Sequence, residues 1–175
     1  IASVGGDITM GLPRVEEIFE RRSPKIPAVV NVSDGEVIDV NTKGKEHSIT
    51  ILADASAKKT EKKGNTVVYD IPFRRMPVVA TGDKIKKGDL LTDGQADISE
   101  IFKYGGKEYA ENYIIREINK VYELQGASIS RKHIEVIIRQ MFSRKRVKDP
   151  GDTRFGAGEI VDIPEFLKEN DEVSK

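Results

Sequence analysis

Apolar residues recur with different periods along the chain, and each period predicts a different element. Leu12, Val15, Ile18 and Phe19 form the single stripe of an amphipathic helix. Pro13 suits its first turn, where a missing N–H is no loss. Glu16 and Glu17 lie toward the positive end of the helix dipole, Arg21 and Arg22 toward the negative end. Pro24 and Pro27 then end the helix and extend the chain. Residues 28–91 read as strands. Residues 28–32 are a first apolar run, Ser33-Asp34-Gly35 a turn, and Val37 and Val40 continue in a strand. Residues 47–52 alternate, with Ile49 and Ile51 on one face, and 66–71 form the returning strand. Between them, 54–66 are polar, with Lys58, Lys59, Lys62 and Lys63 in a hairpin tip or long loop. Gly82-Asp83 and Gly88-Asp89 mark two tight turns on short strands.

The period then becomes helical. Asp97 is placed to cap a short helix through Phe102 that Gly105-Gly106 breaks. Residues 107–125 make the strongest helix of the chain, with Tyr109, Tyr113, Ile114, Ile118, Val121, Tyr122 and Gln125 on one side and Gly126 at the C′ position. Ser130 caps a helix over 131–142 whose apolar face is Ile134, Ile137, Ile138 and Met141. A basic run, Arg144 to Lys148, precedes a turn at Pro150-Gly151-Asp152 and a short strand over 159–163. Residues 164–169 start a last helical turn, and the rest is expected to fray. The pattern predicts an α+β chain with an N-terminal helix, a strand-rich barrel-like body, a helical hairpin and a C-terminal strand and loop. Four segments follow: 1–24, 25–95, 96–143 and 144–175.

Composition narrows the partners. Twenty-nine Lys and Arg balance 29 Asp and Glu, which argues against a stand-alone DNA-binding module but allows local basic patches. With no Cys, disulfides and thiolate zinc sites are excluded. No apolar run approaches the roughly 18 residues of a membrane span. The start, Ile1-Ala2-Ser3-Val4-Gly5-Gly6, is neither an initiator Met nor a signal peptide and reads as a flexible lead-in cut from a longer chain.

A search for chemistry returns no catalytic residue and no metal site. His47 reads as a surface residue, and His133 has no Ser or Asp beside it in a triad motif. His133 and Glu135 diverge on a helix, and Asp34, Asp39 and Asp162 are scattered. Gly105-Gly106-Lys107 lacks the spacing of a phosphate loop. The Gly-Asp turns resemble the sandwich-barrel hybrid motif of biotinyl and lipoyl carrier domains, so an alternative is a binding or interaction module of that type without catalysis. No Met-Lys-Met or Asp-Lys-Ala tripeptide is present to carry the cofactor. What remains are basic patches: Arg21, Arg22 and Lys25; Lys58 to Lys63; Arg74-Arg75; and Arg144 to Lys148. Each cation near a phosphate adds salt-dependent affinity.

Two long stretches carry a resemblance. Asp7-Ile8-Thr9-Met10-Gly11-Leu12-Pro13-Arg14-Val15, running on to Phe19-Glu20-Arg21-Arg22-Ser23-Pro24-Lys25, is one. Val121-Tyr122, Gln125-Gly126 and Lys132-His133-Ile134-Glu135-Val136, ending in Arg139-Gln140-Met141, is the other. Both resemble the beta-prime subunit family of bacterial DNA-directed RNA polymerases, from the end of the trigger loop into the jaw. The resemblance implies that residues 12–20 are the C-terminal arm of a mobile lid over the incoming nucleotide. Leu12, Pro13, Val15, Ile18 and Phe19 would then be its packing face. It implies that Arg21, Arg22 and Lys25 face downstream DNA through sequence-independent contacts. The partners implied are the alpha, beta, omega and sigma subunits and the rest of beta-prime, in the cytoplasm, with no membrane. The family's nucleotide-contacting and Mg²⁺-binding motifs are absent from this sequence. No cofactor is therefore expected on this fragment, Mg²⁺ is expected in the complete enzyme, and the fragment alone is expected to be inactive. The chain departs from the family pattern at Arg21, Ser23 and Arg131.

Overall fold

Alternation in the middle of the chain builds an antiparallel sheet. The computed structural model describes residues 10–42, 44, 46–53 and 66–174, and the chain divides into two units, residues 1–128 and 129–175. In the first unit, α1 (Leu12–Phe19) precedes β1 (Gly35–Asn41), β2 (His47–Ala53), β3 (Thr66–Ile71) and β4 (Lys84–Ile85), then α2 (Ile98–Gly105) and α3 (Lys107–Leu124). The second contains α4 (Arg131–Met141), β5 (Arg144–Arg146), β6 (Ile160–Asp162) and α5 (Ile163–Val173). The α+β class follows the sequence pattern. The body is a four-stranded open sheet of order β3-β2-β1-β4, with no closed barrel among the described residues. β4 has only two residues, too few to carry the ladder around to β3.

One face of the sheet buries Val37, Ile49, Ile51, Ile71 and Ile85 together with Leu91. Val37 and Val40 are three apart, which strict alternation would send to opposite faces. A β-bulge between Val37 and Asp39 absorbs the extra residue. Ile38 is left exposed, and Val40 packs against the core. Gly35 is required by proximity: a Cβ there would lie 2.3 Å from the Leu52 carbonyl oxygen.

The expected strand over 28–32 is not formed. Val30 makes only an isolated bridge with Leu90, and the extended segment is held by scattered backbone bonds to residues 88–95 and by side chains. Fully buried Asn31 donates its amide to the Lys86 carbonyl at 2.8 Å, and its oxygen accepts the Tyr69 hydroxyl at 3.0 Å. The same hydroxyl accepts the Val32 N–H at 2.9 Å. Both Gly-Asp turns form as expected. The Asp83 and Asp89 carboxylates accept the N–H groups of Ala80 and Lys86, each at 2.8 Å. Arg75, expected in a basic patch, is instead 3% exposed and donates to the Ile26 carbonyl.

The helices match their apolar spacing. Asp97 caps α2 through the Ser99 N–H at 2.7 Å. Gly126 follows α3 with φ 70°, as a C′ glycine should. Ser130 occupies the N-cap position of α4, but its hydroxyl makes no cap bond. Ile134 and Ile138 are buried, whereas Ile137, expected on the same face, is 40% exposed. α3 and α4, read as one helical pair, lie in different units. The final helix extends to Val173 instead of fraying after one turn. Its Phe166 packs on Val147, Phe155 and Val161, and Arg154 pairs with Glu165 at 2.9 Å and Glu169 at 3.1 Å. Those partners are distant in sequence, so local propensity underestimates the helix.

The turn at Asp89 also meets α3, where the Tyr109 hydroxyl donates to the Asp89 carboxylate. Burial, then the hydrogen bond to Asp89 and its charge, push the Tyr109 phenol up to about 12. The folded state therefore holds this proton more tightly than the unfolded chain, whose phenol has its ordinary value of 10.0. This contribution to stability is complete below pH 10.0 and is lost as pH rises toward about 12. In an alkaline absorbance titration, Tyr109→Phe should delete the highest-pH phenolate step. Loss of only an ordinary step would refute the assignment.

Candidate functional site

The expected functional arm, α1, is short and has no side-chain cap. Gly11 enters it with φ 69°. It ends in a pair of backbone bonds, Arg21 N–H to Ile18 O at 3.1 Å and Arg22 N–H to Glu17 O at 3.0 Å. That is a Schellman closure with Arg21, φ 55°, where glycine is the usual residue. The structure spreads the five expected packing residues over different environments. Ile18 is fully buried, Val15 and Phe19 are half-buried, and Leu12 and Pro13 are exposed. Within the chain, the buried line of α1 runs through Arg14 and Ile18, one turn apart, against α3.

Arg14 is 3% exposed. Its guanidinium lies 3.4 Å from the Glu17 carboxylate, 3.3 Å from that of Glu117 and 3.4 Å from the Tyr113 hydroxyl. The Tyr113 hydroxyl also accepts the Ala96 N–H at 2.9 Å. Burial raises the Tyr113 phenol above its ordinary value, and the Glu117 charge adds to the rise. The Ala96 N–H and Arg14 oppose it. The Arg14 Nε is buried and makes no hydrogen bond. Beside the guanidinium lies a cavity of about 180 Å³, lined among others by Met10, Gly11, Glu117, Lys120 and Leu124. Sequence reading missed Arg14 and Glu117. The available signal was their position inside apolar lines: Arg14 is one turn before Ile18, and Glu117 lies between Ile114 and Ile118.

The basic edge follows. Arg21, Arg22 and Lys25 are all exposed, and Arg22 pairs with Glu20. The segment bearing them is fixed by buried Pro24 and by the Ser23 hydroxyl, which donates to the Asp97 carboxylate. Burial pushes the Asp97 carboxyl up. Hydrogen bonds from Ser23, Ser99 and the Glu100 N–H outweigh it and hold the carboxyl below its usual value. Elsewhere, Arg144, Lys145 and Arg146 are exposed on β5, with Arg144 paired to Asp162 at 3.3 Å and Lys145 over the Phe166 ring. Lys58, Lys59, Lys62 and Lys63 lie outside the described residues, as do residues 1–9. His47 is half-buried and His133 exposed. Among the described residues, no three His, Asp or Glu side chains are grouped to hold a metal ion. No helix among them is long and apolar enough to cross a membrane.

The two ends of the apolar stripe should respond differently to truncation. Ile18→Ala should destabilise the chain by about 2–4 kcal/mol through the cavity it leaves. Leu12→Ala should stay within about 0.5 kcal/mol, because little area is lost from a mostly exposed side chain. Equal effects in urea unfolding would show that α1 is not seated through Ile18.

Residues 6–171, which take in both units, match the family described as RNA polymerase Rpb1, domain 5. The chain is 41% identical over 169 residues to the DNA-directed RNA polymerase subunit beta' of Shouchella clausii. It is 42% identical over 169 residues to that of Symbiobacterium thermophilum and 42% over 166 residues to that of Clostridium kluyveri. These alignments cover 95–97% of this chain but only 13–14% of each relative, so the chain spans a small part of their length. With α1, the sheet and the helices of both units inside the matched region, the chain belongs to the RNA polymerase Rpb1 domain 5 family.

Proposed function

We propose that the chain is part of the beta-prime subunit of a bacterial DNA-directed RNA polymerase, contributing the return arm of the trigger loop and the jaw beside downstream DNA. The similarity to beta-prime subunits over nearly the whole chain carries this reading. The form of α1 supports it. The arm is anchored at Ile18, while Leu12 and Pro13 in its first turn remain open to dock on another surface. The basic edge supports the DNA-facing role. Arg21 keeps a large side chain in a left-handed conformation that costs roughly 1–2 kcal/mol outside glycine. A phosphate contact gives that side chain a purpose.

On this reading the chain takes part in nucleotidyl transfer without housing it. On the same reading, Mg²⁺ is held by carboxylates elsewhere in the complete enzyme. The partners are the alpha, beta, omega and sigma subunits, the rest of beta-prime and downstream DNA, in the cytoplasm. The isolated chain, given template, nucleotides and Mg²⁺, should make no RNA, and synthesis by it would overturn the assignment.

In the complete polymerase, Arg22→Glu with Lys25→Glu should weaken retention of downstream DNA at low salt. If both cations meet phosphates, the slope of log affinity against log salt should become shallower by about 1.8. An unchanged slope would remove the DNA-facing role from this edge. A change confined to one DNA sequence would contradict backbone contact.

A further inference from the structure

A cation in the first turn of a helix opposes the helix dipole. α1 nevertheless places Arg14 there, buried, with no acidic residue in that turn and no side-chain cap to offset it. The placement does not serve the stability of α1 by itself. Besides Glu17 on α1 itself, the groups that answer the cation come from α3, which supplies Tyr113 and Glu117. We propose that Arg14 is a positioning residue that, through Glu117 and Tyr113, fixes the angle at which α1 stands on α3. In the complete enzyme it would thereby set how readily the arm reaches its closed position. This inference rests on the reading of α1 as the return arm.

Three further observations fit a latch better than a plain structural anchor. The first is direction. Ile18 seats α1 by apolar burial, which has little angular preference, whereas a guanidinium shared between the Glu117 carboxylate and the Tyr113 hydroxyl of α3 defines an orientation. Arg14 lies one turn from Ile18, so burial at one position and hydrogen bonding to α3 at the other together orient the helix axis. The second is strength. The bonds of 3.3–3.4 Å are longer than the roughly 2.7–2.9 Å of a tight charge-assisted pair, and Nε has no partner. The contact is formed but not tightly closed. The third is freedom. Gly11, with φ 69° and no Cβ, leads into the helix. The cavity beside Arg14 leaves space on the Met10, Lys120 and Leu124 side. Lysine could not replace this arginine, because a single ammonium lacks the planar fork that spans several acceptors.

The test uses the complete polymerase containing this subunit, with single-nucleotide addition resolved into kcat and KM. Glu117→Gln keeps the shape of the contact and removes its charge; Arg14→Lys keeps the charge and removes the fork. Each should lower kcat about fivefold or more while KM stays within about twofold, as expected when a reacting assembly is misplaced without loss of substrate binding. The exchange Arg14→Glu with Glu117→Arg should recover kcat to within about threefold of the parent. A purely structural role would instead lower the yield of assembled enzyme and leave the kcat of the assembled fraction unchanged, and that result overturns the proposal. Failure of the exchange to recover any rate also overturns it. Leu12→Asp, on the open face of the arm, separates the two levels of the argument. If it slows addition while Glu117→Gln and Arg14→Lys do not, the arm is real and the latch is wrong. If none of the three slows addition, the return-arm reading fails and takes the latch with it.

Discussion

Buried irregular backbone must find hydrogen-bond partners, and much of the first unit is arranged to supply them. The segments before β1 and between β3 and α2 form no regular ladder and meet through scattered backbone bonds, such as Asn31 N–H to Asp89 O and Leu91 N–H to Val29 O. Side chains complete the set: Asn31 at Lys86, Arg75 at Ile26, Thr92 at the Val29 N–H and Tyr113 at the Ala96 N–H. Each such bond adds only about 1 kcal/mol net, but leaving a buried partner unmet costs roughly 1–3 kcal/mol. These polar residues therefore choose one arrangement of the chain more than they strengthen it. Apolar burial on the sheet face supplies the general drive to collapse, without deciding where the loops go.

The same demand connects the functional arm to the body. The Tyr113 hydroxyl accepts the Ala96 N–H from the loop and faces the Arg14 guanidinium from α1. One phenol on α3 thus links the helix expected to move with the loop that leads into α2. α1 is held by one apolar residue and one cation, and the rest of its surface is left open or half-open. The basic edge that follows is tied down through Pro24 and through Ser23 on the N-cap of α2. An arm gripped at a few points and a firmly mounted basic edge suit a part that supports chemistry carried out elsewhere, as proposed.

Where periodicity and chemistry were local, the sequence could be read directly. The apolar spacing of α3, the Asp97 cap and both Gly-Asp turns depend on residues within a few positions of one another, and each appears as expected. The failures have a common cause. Residues 28–32 look like a strand because they are apolar, but their hydrogen bonds go to a turn more than fifty residues away. The start of α5 is anchored on Arg154 and the Phe155 cluster through Glu165, Phe166 and Glu169, and from that seat the helix runs on to Val173. Arg75 looks like half of a basic patch until the Ile26 carbonyl claims it.

The amino-acid sequence by itself determined the α+β class, the helix at residues 12–19, the basic residues just after it and, through two long motifs, the family. Short-range spacing and residue order carry all of these, and neither needs a partner in space. Only the tertiary structure decided that the sheet stays open, that Ile18 and not Leu12 seats the arm, and that Arg14 is buried against Glu117 and Tyr113. A charged residue in an amphipathic stripe is ambiguous along the chain, because its burial depends on whether counter-charges arrive from an element about a hundred residues away.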